Sequence, residues 1–147
     1  MAKILVVDDE PDIVRVVVRI MEARGHTVST ARDGDEALES ANASTPDVII
    51  LDLNLPKRDG FSVCRELKSN ATTAHVPVVM MTAAYVSVED AARGTGMGAD
   101  EYVVKPFLRE VLVHNVERLL RRRAASVPGI EGGDGTAAPI GSSGDKT

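Results

Sequence analysis

Three features of the sequence predict an α/β fold built on one five-stranded parallel sheet. Short apolar, β-branched runs alternate five times with stretches of helical periodicity, which is the pattern of consecutive strand–helix units. The runs at 4–7 and 48–51 are continuously apolar, as strands buried on both faces require. The same two runs end on carboxylates: Asp8 and Asp9 close Ile4-Leu5-Val6-Val7, and Asp52 closes Val48-Ile49-Ile50-Leu51. In an open parallel sheet the strand C-termini share one edge, so these acids can converge on one crevice.

The first strand is read at residues 4–7. The first helix, about 11–24, has Pro11 in its first turn and Gly25 at its stop, with Ile13, Val16, Val17 and Ile20 facing inward. The second strand, 27–30, carries the weakest apolar signal. A second helix follows at about 35–43, a third strand at 48–51, a third helix at about 60–69 and a fourth strand at 76–81. The region 87–97 should hold a short or mobile fourth helix, because Gly94 and Gly96 each cost about 1 kcal/mol relative to Ala inside a helix. A fifth strand at 102–104 and a fifth helix at about 108–123 complete the series. The domain is therefore expected over residues 1–123. Residues 124–147 turn to Gly, Ser, Ala, Pro and Thr, the composition of a disordered tail, a linker or an expression remnant.

At 147 residues, with 44% hydrophobic and 27% charged residues, the chain suits one globular domain. Its longest apolar runs, such as 77–84, fall far short of the roughly 20 residues that span a bilayer. Residues 1–3 lead straight into a strand rather than into a signal peptide, so a cytoplasmic protein without a membrane partner is expected. Cys64 is the only cysteine, which excludes an intrachain disulfide and a thiolate metal site; it reads as a small apolar residue. His26, His75 and His114 lie on different elements and do not form a histidine metal site. The net charge of −5 argues against generic nucleic-acid binding. Arg118 and Arg121 to Arg123 end the fifth helix, where cations complement its dipole.

Thr82 ends the fourth apolar run and Lys105 the fifth, so all the candidates sit at strand ends. Carboxylates crowded together need a cation, and oxygen-only ligands favour magnesium. A carboxylate nucleophile, a divalent cation, a hydroxyl and a lysine suit in-line displacement at phosphorus, where charge spreads over equatorial oxygens. In that chemistry Asp52 attacks and becomes an acyl phosphate, Asp9 holds magnesium, and Asp8 supports the metal directly or through water. Thr82 and Lys105 then bind phosphoryl oxygens. Taken singly, each residue has a plainer reading: Asp8 and Asp9 as a helix N-cap, Asp52 as a turn residue, Thr82 as a strand former, Lys105 as a surface lysine. Their shared position at strand ends favours the chemical one.

The motifs Val6-Val7-Asp8-Asp9-Glu10, Leu51-Asp52-Leu53-Asn54-Leu55-Pro56 with Asp59-Gly60, Met81-Thr82-Ala83, and Gly98-Ala99-Asp100-Glu101-Tyr102 leading to Lys105-Pro106-Phe107 resemble the receiver domain of bacterial two-component response regulators. The resemblance covers about residues 3–123. It implies a flavodoxin-like, doubly wound (βα)5 fold, phosphorylated on Asp52 by a sensor histidine kinase or phosphotransfer protein. It also implies a magnesium ligand from the backbone carbonyl of Asn54 and a cis peptide between Lys105 and Pro106. On phosphorylation, the Thr82 hydroxyl would move toward the phosphoryl group and Tyr102 would turn from an exposed to a buried rotamer. The face of the fourth helix, fifth strand and fifth helix would then change, controlling a partner or an output domain.

The sequence departs from the family pattern in places. Asn115 stands where the transcription-factor branch has an arginine used in a dimer of that face, although Asp100, a usual partner, is present. A monomer or a weak phosphorylation-dependent dimer is therefore expected. The stretch from Thr82 to Lys105 reads about one residue long, and Asn54 and Ala84 occupy positions that tune phosphoryl lifetime. A haloacid-dehalogenase-like phosphatase also uses an aspartyl nucleophile and magnesium, but its Asp-x-Asp pair belongs on the first strand, and here Asn54 replaces the second Asp. A flavodoxin-like cofactor binder would need a phosphate-cradling Gly-rich loop after the first strand, where the chain has two acids.

Overall fold

The computed structural model describes residues 2–82 and 99–125; of Ala124 and Ala125 only the backbone is described. Five strands, β1 (Lys3–Val7), β2 (Thr27–Ala31), β3 (Val48–Asp52), β4 (Val78–Thr82) and β5 (Glu101–Val104), form one sheet. All neighbours are parallel, in the order β2-β1-β3-β4-β5. The helices among the described residues are α1 (Pro11–Ala23), α2 (Gly34–Ala43), α3 (Gly60–Ser69) and α4 (Arg109–Ala125). This is the flavodoxin-like arrangement, and α4 is the fifth helix of the sequence reading. The helix expected at 87–97 and the tail from 126 lie outside the described residues.

Alternation along the strands builds two cores. Leu5, Val7, Ile49, Leu51, Val78 and Met80 point to the side covered by α2 and α3, where they meet Ala37, Phe61, Val63 and Leu67. Ile4, Val6, Val48, Ile50, Val79 and Met81 point to the other side and meet Val17 and Met21 of α1 and Leu112, Val116 and Leu119 of α4. Strands buried on both faces explain the unbroken apolar runs. Cys64 is fully buried in the first core, and burial pushes its thiol up to about 11.

Several boundaries differ from the sequence reading for local reasons. β4 begins at Val78 rather than Val76, because the Val76 N–H closes a turn on the Thr73 carbonyl and Pro77 has no N–H to give. β2 is an edge strand with mostly exposed side chains, which accounts for its weak apolar signal. Val16 of α1 is 48% exposed rather than inward. Val17 and Met21 are the buried residues of α1, and Val16, about 100° round the helix from Val17, falls on its flank. Gly25 ends α1 with φ of 88°, and the N–H groups of Arg24 and Gly25 close on Met21 and Glu22.

Candidate functional site

The sheet order reverses between β1 and β3, and the C-terminal ends of these two strands flank that switch point. Asp8 follows β1 and Asp52 ends β3, both buried. Lys105, just past β5, extends across to them. Its Nζ lies 3.0 Å from Asp8 Oδ2, 3.3 Å from Glu10 Oε1 and 3.5 Å from Asp52 Oδ1. The peptide from Lys105 to Pro106 is cis, and the Lys105 N–H donates to the Thr82 carbonyl at 2.7 Å.

Each acid is oriented by backbone. The Glu10 N–H donates to Asp8 Oδ1 at 2.9 Å, and the Asn54 N–H donates to Asp52 Oδ1 at 3.3 Å. The N-cap of α1 is Glu10, without a side-chain capping bond, so capping does not account for the acidic pair. Gly60 lets α3 start directly against the end of β3. A Cβ there would lie 2.7 Å from both the Asp52 carbonyl oxygen and Leu53 Cα, and the Gly60 N–H donates to the Leu53 carbonyl at 2.7 Å.

The electrostatics are those of acids short of compensation. Burial, then the neighbouring Asp8 carboxylate, pushes Asp52 up to about 6, with Lys105 and the Asn54 N–H acting against the shift. Burial alone would lower Lys105, yet the hydrogen bond to Asp8 and the charges of Asp52 and Asp8 carry it above its ordinary value.

One carboxylate oxygen each from Asp8, Glu10 and Asp52 lie within 4.8 Å of one another. A hard, all-oxygen set of this kind fits magnesium or a similar cation. Glu10 joins the cluster without a role expected from the sequence; its only signal there is an acid directly after the Asp8-Asp9 pair. Asp9, expected to hold the metal together with Asp8, Asp52 and the Asn54 carbonyl, is exposed. It lines, with Glu10, Asp52, Asn54, Lys105 and Pro106, an open cleft of about 640 Å³. Thr82 is buried at the end of β4, one strand from Asp52, with Asp52 registered against Met81. Tyr102 lies outside this cluster, half-buried against the α2–α3 core. A second groove of about 490 Å³ between α1 and α4 offers Glu110 as the one acid among its lining residues.

Residues 4–117 match the response regulator receiver domain model. The chain belongs to this family. Among curated relatives, this receiver is 45% identical over 124 residues to the transcriptional regulatory protein PrrA of Mycobacterium leprae, covering 84% of the chain and 52% of PrrA. It is 41% identical over 129 residues to the alkaline phosphatase synthesis transcriptional regulatory protein PhoP of Bacillus subtilis, covering 88% of the chain and 52% of PhoP. The receiver thus spans about half the length of these relatives. Among solved structures it is similar to the chemotaxis response regulator CheY4 of Vibrio cholerae, with a TM-score of 0.76 and 35% identity, covering 81% of this chain and 98% of CheY4. The signal receiver domain of a Syntrophus aciditrophicus signal transduction histidine kinase gives a TM-score of 0.79 at 31% identity, covering 89% of this chain and 98% of that one. These matches support a two-component receiver and leave the phosphatase reading without support. Among the described residues, no helix is long and apolar enough to cross a membrane.

Proposed function

We propose that this receiver accepts a phosphoryl group on Asp52 from a sensor histidine kinase or phosphotransfer protein, in a magnesium-dependent step. The observation that carries the reading is the convergence of Asp8, Glu10, Asp52 and Lys105 at the switch point. Asp8, Asp9, Asp52 and the Asn54 carbonyl would hold the cation, with Glu10 a further carboxylate in reach. When bound, the cation neutralises charge on the carboxylates and on phosphoryl oxygens. Asp52 attacks phosphorus through one oxygen as the donor's bond to phosphorus breaks, giving an acyl phosphate. Lys105, held among the acids before the reaction, offers its ammonium to a phosphoryl oxygen. The Thr82 hydroxyl takes another, and its movement frees space for Tyr102 to shift.

The change at Tyr102 and the face around it would pass the signal to a partner, or to an output domain as in relatives named transcriptional regulators. A monomer or a weak phosphorylation-dependent dimer is the expected assembly. Asp100 pairs with Arg122 of its own chain at 3.2 Å, Glu101 pairs with Arg118, and Asn115 replaces the family's arginine.

Incubation with magnesium and acetyl phosphate should add one phosphoryl group to the wild-type chain and none to Asp52→Asn. Undiminished labelling of the variant would exclude Asp52 as the acceptor.

A further inference from the structure

The loop between β3 and α3 carries Asn54 into the cleft, and from outside Arg58 fastens it to two helices at once. Arg58 Nε donates to Asp35 Oδ1 in the first turn of α2 at 3.0 Å, and its Nη1 pairs with Glu66 of α3. The stem is packed as well. A Cβ on Gly34 would lie 3.1 Å from Arg58 Cδ and 3.2 Å from Arg58 Cβ, so the aliphatic chain rests on bare backbone at the start of α2. Beside it, Lys57 Nζ stands 3.5 Å from Asp33, the N-cap of α2. On its inner side the same loop donates the Asn54 N–H to Asp52 and the Gly60 N–H to Leu53. The loop therefore joins the phosphoacceptor to the α2 terminus.

We infer that Arg58 is a positioning residue for cation binding: by clasping the β3–α3 loop to α2 and α3, it holds the Asn54 carbonyl and the Asp52 carboxylate in the geometry that receives the ion. The inference rests on the proposed roles of Asp52 and Asn54. A loop that spends part of its time elsewhere lowers the apparent affinity by the fraction of time it is competent. Single exposed ion pairs do little, but here one planar head is shared between carboxylates on two helices, above a packed stem.

The test is magnesium affinity of the full chain by titration calorimetry, comparing wild type with Arg58→Met, Arg58→Lys, Asp35→Asn and the Arg58→Met/Asp35→Asn pair. Arg58→Met, which keeps the stem and removes the head, should bind about three- to tenfold more weakly. Arg58→Lys should fall between it and wild type. The double variant should be no weaker than Arg58→Met, because both changes open the same clasp. Phosphoryl uptake by Arg58→Met should slow at limiting magnesium and recover at saturation, a separation that general loosening of the fold would not produce. Affinity of Arg58→Met within about twofold of wild type, or full additivity of Asp35→Asn, would overturn the inference. Asp52→Asn assayed alongside keeps the two ideas apart: wild type that takes no label defeats the phosphoacceptor reading, whereas labelled wild type with an unaltered Arg58→Met defeats the clasp alone.

Discussion

Asp52 stands at about 6 against an ordinary 3.8, so the folded chain favours its protonated form. The sign follows directly: this group's contribution to stability is complete below about pH 4 and is lost as pH rises through about 6. Asp52→Asn removes that loss and should stabilise the metal-free protein at pH 7 by about 2 kcal/mol, while the two proteins converge near pH 4. Thermal melts across this range check it, and a constant difference at all pH values would count against the shift. The residues of the cluster were legible unequally. Asp8, Asp52 and Lys105 each follow or end an apolar run, so the sheet alone brings them to one edge. Glu10 sits in the exposed turn before α1, where apolar periodicity says nothing about which way a carboxylate turns. The metal assignment can be divided by comparing Asp9→Ala with Glu10→Gln. Asp9→Ala should weaken magnesium binding about tenfold or more and Glu10→Gln less; the reverse order would move the ligand role from Asp9 to Glu10.

Among the elements, β3 and α3 were the most legible, because continuous burial and a Gly start leave little choice. β4 and β2 were less so, since a proline-bounded turn and an exposed edge each blur the apolar pattern. The α4 arginines, read from the sequence as cations at a helix end, prove to tie layers together. Arg123 meets Asp47 at 2.9 Å, Arg118 pairs with Glu101, and Arg122 meets Asp100. Asp100 has the larger task. Its Oδ2 takes the Val78 N–H at 2.8 Å and the Lys68 ammonium at 3.3 Å, so one side chain fastens β4, α3 and α4 at the start of β5. Asp100→Ala leaves the Val78 N–H without its acceptor in a partly buried setting, while the Lys68 ammonium keeps the Val76 carbonyl at 2.6 Å; the change should cost about 2 kcal/mol, seen as a lower urea midpoint at unchanged slope. An unshifted midpoint would mean that water replaces the carboxylate without loss. Such internal engagement also leaves Asp100 less free to serve a second copy of the chain.

At the scale of the molecule, the two cores hold β1 and β3 rigidly while their ends carry acids that repel, a local cost a cation would remove. Binding to the folded state alone stabilises by RT ln(1 + [L]/Kd), about 2.7 kcal/mol when magnesium exceeds its dissociation constant 100-fold. For a domain of this size that is a rise of roughly 10 °C in the melting midpoint. Because Asp52 must lose its proton to serve as a ligand, protons and the cation compete, and the rise should shrink as pH falls through about 6. Melting with and without magnesium at pH 7.5 and pH 5 separates this linkage from nonspecific ionic stabilisation, which would persist at both. In Asp52→Asn the rise should be small at either pH, since the variant has lost the ligand and the proton together. A full rise at pH 5, or an undiminished one in Asp52→Asn, would place the cation away from the β1–β3 switch point and remove the electrostatic basis for phosphoryl transfer there.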